Sequence, residues 1–200
     1  MHLSEKGLAQ SEQLAVRLGN FLVSNMRVSP MERCFETISP WINSIVLPNN
    51  PKFEPTIDEE LTEVDYGSWS GKKLVVLSRN KLWKTVQESP SRMYFPNGEG
   101  IAQMQSRAMK SVHESIVTKA KGAAVLVSHG DVIKSIVASA LGIHLDEFQR
   151  IVIDPASISI LDYSTIKPRV LLLNDSRSVV TDLLVAPKRS KNLLGGGSGR

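Results

Sequence analysis

Cysteine occurs once in the 200 residues, at Cys34, so the chain can form no internal disulfide and no cysteine-based zinc site. A long apolar run is also missing: nothing approaches the roughly 18 uncharged residues of a membrane span. The residues after Met1 are polar and lack the apolar core of a secretory signal. These absences together predict a protein of a reducing cytoplasm with no membrane partner. Nor is there an excess of one charge over most of the length. Residues 1–176 hold 19 basic and 19 acidic side chains, and the net charge of +4 comes from residues 177–200, with five basic and one acidic. That pattern predicts a domain over 1–176 and a basic, flexible, solvated tail over 177–200, with no nucleic-acid partner. No internal repeat is visible, and aromatics make up only 6% of the chain, which gives Trp83 and Phe95 weight as packing anchors.

What is present reads as alternating helix and strand. Leu3-Ser4-Glu5-Lys6-Gly7-Leu8 is a helix start with Ser4 as cap, and the stripe Leu14, Ala15, Leu18, Phe21 and Leu22 predicts a helix to about Ser24. Arg27-Val28 ends a short strand, and Ser29-Pro30 turns into a second helix carrying Arg33, Cys34, Thr37 and Trp41. A strand is predicted at Ile45 to Leu47, a loop over 49–55, and an acidic, glycine-punctuated loop over 59–71. Residues 72–95 read as one or two short helices. The loop Pro96 to Gly100 then leads into a long helix to about Lys121, with Ile101, Met104, Ala108, Val112 and Ile116 on its apolar face. Farther on, Leu145 to Gln149 reads as a helical turn and Ile151 to Asp154, Ser157 to Asp162 and Arg169 to Asn174 as strands, the last two a hairpin. The order predicts a three-layer α/β/α domain with a mostly parallel central sheet.

Between the long helix and that hairpin lies the stretch with the clearest bearing on function. Ala123 to Val127 is wholly apolar, the pattern of a strand buried on both faces. Val132, Ile133, Ile136, Val137, Ala140 and Leu141 follow at helical spacing, with Asp131 placed to cap the helix and Gly142 to stop it. His129 thus falls in a turn from strand to helix, where open α/β sheets bind ligands and where helix N–H groups favour anions.

Two further clusters complement it: Arg33 after Ser29-Pro30, and Glu63 before Asp65-Tyr66-Gly67. Arginine, carboxylate and imidazole at loop positions suit phosphoryl chemistry. A guanidinium fork holds two phosphate oxygens, a carboxylic acid protonates a leaving oxygen, and an imidazole donates to a non-bridging one.

In five segments the chain resembles the histidine phosphatase superfamily, with its phosphoglycerate-mutase-like fold. They are Leu3-Ser4-Glu5-Lys6-Gly7, Ser29-Pro30-Met31-Glu32-Arg33-Cys34, Leu61-Thr62-Glu63-Val64-Asp65-Tyr66-Gly67-Ser68-Trp69-Ser70-Gly71, Pro96-Asn97-Gly98-Glu99 and Val127-Ser128-His129-Gly130. The resemblance implies a phosphoric monoester hydrolase in which a histidine attacks phosphorus and water resolves the phosphohistidine, with no metal and no cofactor. By motif, Arg33 clamps the phosphate, Glu63 protonates the leaving group, His129 is the second histidine of the pocket and Ser29 lines it. The implied partner is a small-molecule phosphomonoester, and phosphate or sulfate would occupy the same pocket. Its leaving group would be read between Gly71 and Pro96, where Trp69, Trp83, Tyr94 and Phe95 offer apolar contacts.

One departure is large. The family opens with a strand ending in Arg-His-Gly, which supplies the nucleophile, ahead of the Leu-Ser-Glu-Lys-Gly match; here that match begins at the third residue. His2, His113 and His144 are predicted at the surface and replace nothing. The chain as written is therefore expected to be inactive or impaired, with an open slot in its sheet. A phosphoglycerate mutase-type phosphotransferase and a non-catalytic phosphate-binding module are the alternatives. A smaller departure is Gly100, where the family often has a capping serine.

Overall fold

The computed structural model describes residues 2–44, 54–117 and 121–184. Helix α1 spans Glu5–Leu18, and the Ser4 hydroxyl accepts from the Gly7 N–H at 3.2 Å as the sequence predicts. It ends six residues before the expected Ser24, because Gly19 takes φ 56° and stops it. Two of the residues so released, Val23 and Ser24, open strand β1, Val23–Val28, which reaches well back from the Arg27-Val28 end expected. Helix α2 follows at Glu32–Ser44 and carries Pro40. The predicted strand at Ile45 to Leu47 lies outside the described residues.

After β2 at Thr56–Ile57 come single 3₁₀ turns at Glu59–Leu61 and Gly67–Trp69, and short helices α3 at Leu74–Leu77 and α4 at Trp83–Glu88. Helix α5 spans Ile101–Val117, β3 Ala123–Val127 and α6 Gly130–Leu141. Gly142 adopts the left-handed conformation that ends α6. The helical turn predicted at Leu145 to Gln149 is a 3₁₀ helix over Leu145–Arg150, and β4 (Ile158–Asp162) and β5 (Arg169–Asp175) form the antiparallel hairpin. Ile151 to Asp154 is irregular rather than a strand. Ile151 closes the 3₁₀ stretch through its N–H to Phe148, and Pro155, without an N–H, follows directly. The chain continues in order to α7 at Thr181–Leu184, where Val180 is fully buried.

Strands β2, β1 and β3 form a parallel sheet in that order, and β4–β5 is a separate ribbon. On one face Met26 and Val28 of β1 pack with Leu14, Leu18, Ile38 and Trp41 of α1 and α2. On the other, Leu126 packs with Met104, Ala108, Val132 and Ile136 of α5 and α6. This is the expected three-layer arrangement with a parallel sheet. β3, however, is half-buried along its length and not enclosed as its sequence suggests. Among the described residues its one partner in the sheet is β1.

Side chains of β4 join the same two layers, Leu161 on the α5–α6 side and Ile158 and Ile160 on the other, although β4 is not bonded to β3. A cleft of about 240 Å³ opens between the start of β3, at Gly122 and Ala124, and the end of β4, at Tyr163 and Ser164. The Tyr163 hydroxyl and the Ser115 Oγ, both on its lining, are buried without a hydrogen-bond partner.

Candidate active site

Four elements converge where β1 and β3 end side by side. Ser29 directly follows β1, and its N–H donates to the Val127 carbonyl, tying the two strand ends together. Arg33 and Cys34 stand in the first turn of α2, Glu63 in the loop after the first 3₁₀ turn, and His129 at the entry to α6.

His129 is 5% exposed and lies at the centre of the group. Its Nδ1 is 2.9 Å from Arg33 Nη2, and its Nε2 is 2.8 Å from Ser29 Oγ and 3.5 Å from Cys34 Sγ. A guanidinium can only donate, so Nδ1 accepts and the imidazole proton sits on Nε2, donating to Ser29. That tautomer assignment fits a neutral ring, and burial, then the charges of Arg33 and Arg107, holds the His129 pKa down at about 4. Glu63 Oε2 stands 3.8 Å from Nδ1, beyond hydrogen-bonding range, while its Oε1 accepts from the Val64 N–H at 3.0 Å. Burial raises the Glu63 pKa above the usual carboxylate range, with Asp131 adding to it and Arg33 and Arg107 opposing. A carboxyl so shifted keeps its proton to higher pH, as a general acid requires.

The structure brings together all four residues predicted for the site: Ser29, Arg33, Glu63 and His129. It corrects the cap of α6. His129, not Asp131, takes the N-cap position, and no side chain caps the helix. Asp131 turns instead to accept from the Tyr66 hydroxyl at 3.0 Å and from Lys134 Nζ at 3.2 Å. The expected substrate-facing rings also divide. Trp69 and Phe95 are core residues at 6% and 2% exposure, packed edge-on against each other, whereas Tyr94 is exposed and Trp83 stacks on Trp69.

Reading the sequence for motifs missed Arg107. From α5 its guanidinium makes a two-point pair with Glu99, at 2.6 and 3.0 Å, and also donates to the carbonyls of Glu60 and Glu63. Glu99 in turn accepts from the Asp65 N–H. The Arg107–Glu99 pair therefore holds the chain on both sides of Glu63. An arginine off the apolar stripe of α5, eight residues from an acid, was the only signal, and that spacing does not make helix neighbours.

Among the described residues no second histidine reaches the pocket: His2, His113 and His144 are exposed. No group of three or more metal-ligating side chains occurs among them either.

Comparison with known proteins bears on the fold and the family. A phosphoserine phosphatase from Hydrogenobacter thermophilus is 25% identical over 174 residues, covering 86% of this chain and 80% of its own. Among solved structures, a histidine-to-alanine mutant of an Entamoeba histolytica phosphoserine phosphatase in complex with phosphoserine superposes with TM-score 0.76 at 18% identity, over 88% of this chain and 85% of that one. A mycobacterial glucosyl-3-phosphoglycerate phosphatase in complex with inorganic phosphate gives 0.71 at 20% identity over 87% of each chain. The sequence profile of the histidine phosphatase superfamily (branch 1) matches residues 1–176, and the chain belongs to that superfamily.

Proposed function

We propose that this chain carries the phosphate pocket and the general acid of a phosphomonoester hydrolase that works through a phosphohistidine. The observation that carries the reading is the convergence on His129 of Arg33 at 2.9 Å, Ser29 at 2.8 Å and the protonatable Glu63 at 3.8 Å. Arg33 takes two oxygens of the entering phosphate through its fork. His129, neutral in the free protein, donates to a third and gains a proton more readily once the dianion is beside it. A nucleophilic imidazole bonds to phosphorus, the ester P–O bond breaks, and Glu63 gives its proton to the leaving oxygen. Water then cleaves the P–N bond with the Glu63 carboxylate as base. In this reading Arg33 and His129 balance the phosphoryl charge without a metal, and the substrate is a small phosphomonoester, with phosphate or sulfate competing for the pocket. The single buried cysteine suits a reducing cytoplasm.

This reading needs a second imidazole as nucleophile, and among the described residues the pocket holds only His129. A strand laid beside β3 and parallel to it, in the space separating β3 from β4, would join the two sheets and end level with Val127, next to His129. The family's Arg-His-Gly strand has that character, and the unpartnered Tyr163 and Ser115 hydroxyls at the other end of the space support the placement. On this reading the 200-residue chain binds phosphate but turns over slowly or not at all.

Hydrolysis of an aryl phosphate tests both parts, comparing this chain with one extended upstream through any in-frame Arg-His-Gly and with His129→Ala in the extended form. Turnover confined to the extended protein and abolished by the His129 change is the expected result. A folded extended protein that is inert on a panel of phosphoesters yet binds phosphate would instead make this a non-catalytic binding module, the reading favoured by the lack of a second pocket histidine. Transfer of phosphate between hydroxyls rather than to water would make it a phosphoglycerate mutase-type enzyme.

A further inference from the structure

Between Asp65 and Glu88 the chain has no acidic residue, yet it carries Lys72, Lys73, Arg79, Lys81 and Lys84. Lys84 pairs with Glu88 on its own helix at 3.6 Å; the other four have no ion pair among the described residues. Set among these cations is α3, whose first three residues are Leu74, Val75 and Val76, exposed by 70%, 68% and 58%. Three consecutive exposed aliphatics are unusual in a soluble domain and mark an interaction surface. The segment is not loose: Leu77 is buried in the core, and the stacked Trp83 and Trp69 fix the chain after it.

We infer that α3 and its flanking cations form a docking surface for an anionic lipid bilayer. The chemistry favours this occupant over others. Aliphatic side chains enter the boundary between headgroups and acyl chains, while neighbouring ammonium and guanidinium groups meet lipid phosphates, each adding to the attraction at an anionic surface. A nucleic acid would call for exposed rings to stack on bases. Here the exposed trio is aliphatic, and Trp83 is committed to Trp69. A second copy of the chain would bring two cationic faces together without an acid between them, which opposes self-association. No helix among the described residues can span a membrane, and the expectation of no membrane partner rested on that lack; it leaves a surface contact open.

Vesicle co-sedimentation of the full chain tests the proposal, with vesicles of phosphatidylcholine alone and with 30% phosphatidylglycerol, on the order of what carries a substantial negative surface potential. Binding to the anionic vesicles is expected to be at least about tenfold stronger than to the neutral ones and to weaken in high salt. The triple change Leu74→Ser, Val75→Ser, Val76→Ser should reduce it about tenfold, and Lys72→Gln with Lys73→Gln should reduce it severalfold, neither altering the thermal melt since these side chains are exposed. A Val75→Trp variant should bind more tightly and shift its fluorescence to the blue on anionic vesicles only. The idea is overturned by no binding, by binding that the triple change leaves intact, by loss of binding on removal of residues 185–200 alone, or by equal affinity for duplex DNA. It is equally overturned if light scattering shows a dimer that the triple change dissociates.

Discussion

A guanidinium against the lone pair of a buried imidazole is an unusual rest state, and at His129 it adds to burial in keeping the ring neutral. Arg33 sits on Nδ1 at 2.9 Å and, after burial, is the main influence holding the ring neutral. Replacing it by leucine removes one of the charges that lower the pKa but leaves the burial. In Arg33→Leu the His129 ring should therefore titrate above about 4 and still below 6.5, measured from its Cε1 proton by NMR; an unchanged midpoint would mean that Arg33 does not act on the ring in solution. Cys34 gives a second expectation. Its thiol is buried, and burial pushes its pKa up to about 11, so it carries almost no thiolate at pH 8 and does not serve the pocket as a nucleophile. An aromatic disulfide reagent at pH 8 should leave it untouched in the native protein and modify it fully in denaturant. Rapid labelling of the folded chain would refute the buried placement beside His129.

The loop elements show what the motif glycines and Arg107 do together. Gly67 holds φ +51°, and a Cβ there would lie 2.3 Å from the Pro96 carbonyl oxygen; at Gly98 it would lie 2.2 Å from that of Asp65. The two loops thus touch backbone to backbone, and Glu99 is delivered to Arg107 beneath the Glu63 segment. Arg107→Gln keeps one donor but loses the ion pair, which is only about one-fifth exposed on either side. A loss of about 2 kcal/mol in urea unfolding is expected, since charged hydrogen bonds of this kind contribute about 1.5–3 kcal/mol. Amide exchange should also rise selectively at Val64, Asp65 and Gly67. A stability within error of the parent would show that the clamp is dispensable.

Much at this scale was legible beforehand, because it depends on neighbours in sequence. The Ser4 cap, the Gly142 stop and the position of His129 between strand and helix follow from local backbone chemistry. The Arg107 clamp depends on where distant loops cross, which an apolar stripe cannot report. The early end of α1 is a local stop at Gly19, φ 56°, which the apolar stripe running on to Leu22 overrides when read alone. The same limit explains β3: its residues are apolar enough for a strand buried on both faces, but burial also requires a neighbour on each edge, which the pattern alone does not provide.

Across the whole molecule the buried pocket makes folding sensitive to acid. His129 titrates at about 4 in the folded chain and near 6.5 when unfolded, so at pH 7 both states hold it neutral and it contributes little. As pH falls below 6.5 the unfolded chain takes up a proton that the folded one refuses, the unfolded state binds more protons, and stability drops until the folded ring titrates as well. By pH 5 the loss amounts to about 2 kcal/mol, at about 1.4 kcal/mol per pH unit of separation. Glu63 acts in the opposite sense, because its raised pKa lets the folded state take up its proton first as pH falls. A His129→Gln variant removes the first effect and leaves the second in place. Urea unfolding at pH 7 and pH 5 should show the parent losing about 2 kcal/mol more than the variant over that interval. Equal losses in the two proteins would place an ionisable partner on the imidazole and contradict the neutral, Arg33-capped ring from which the proposed phosphate chemistry starts.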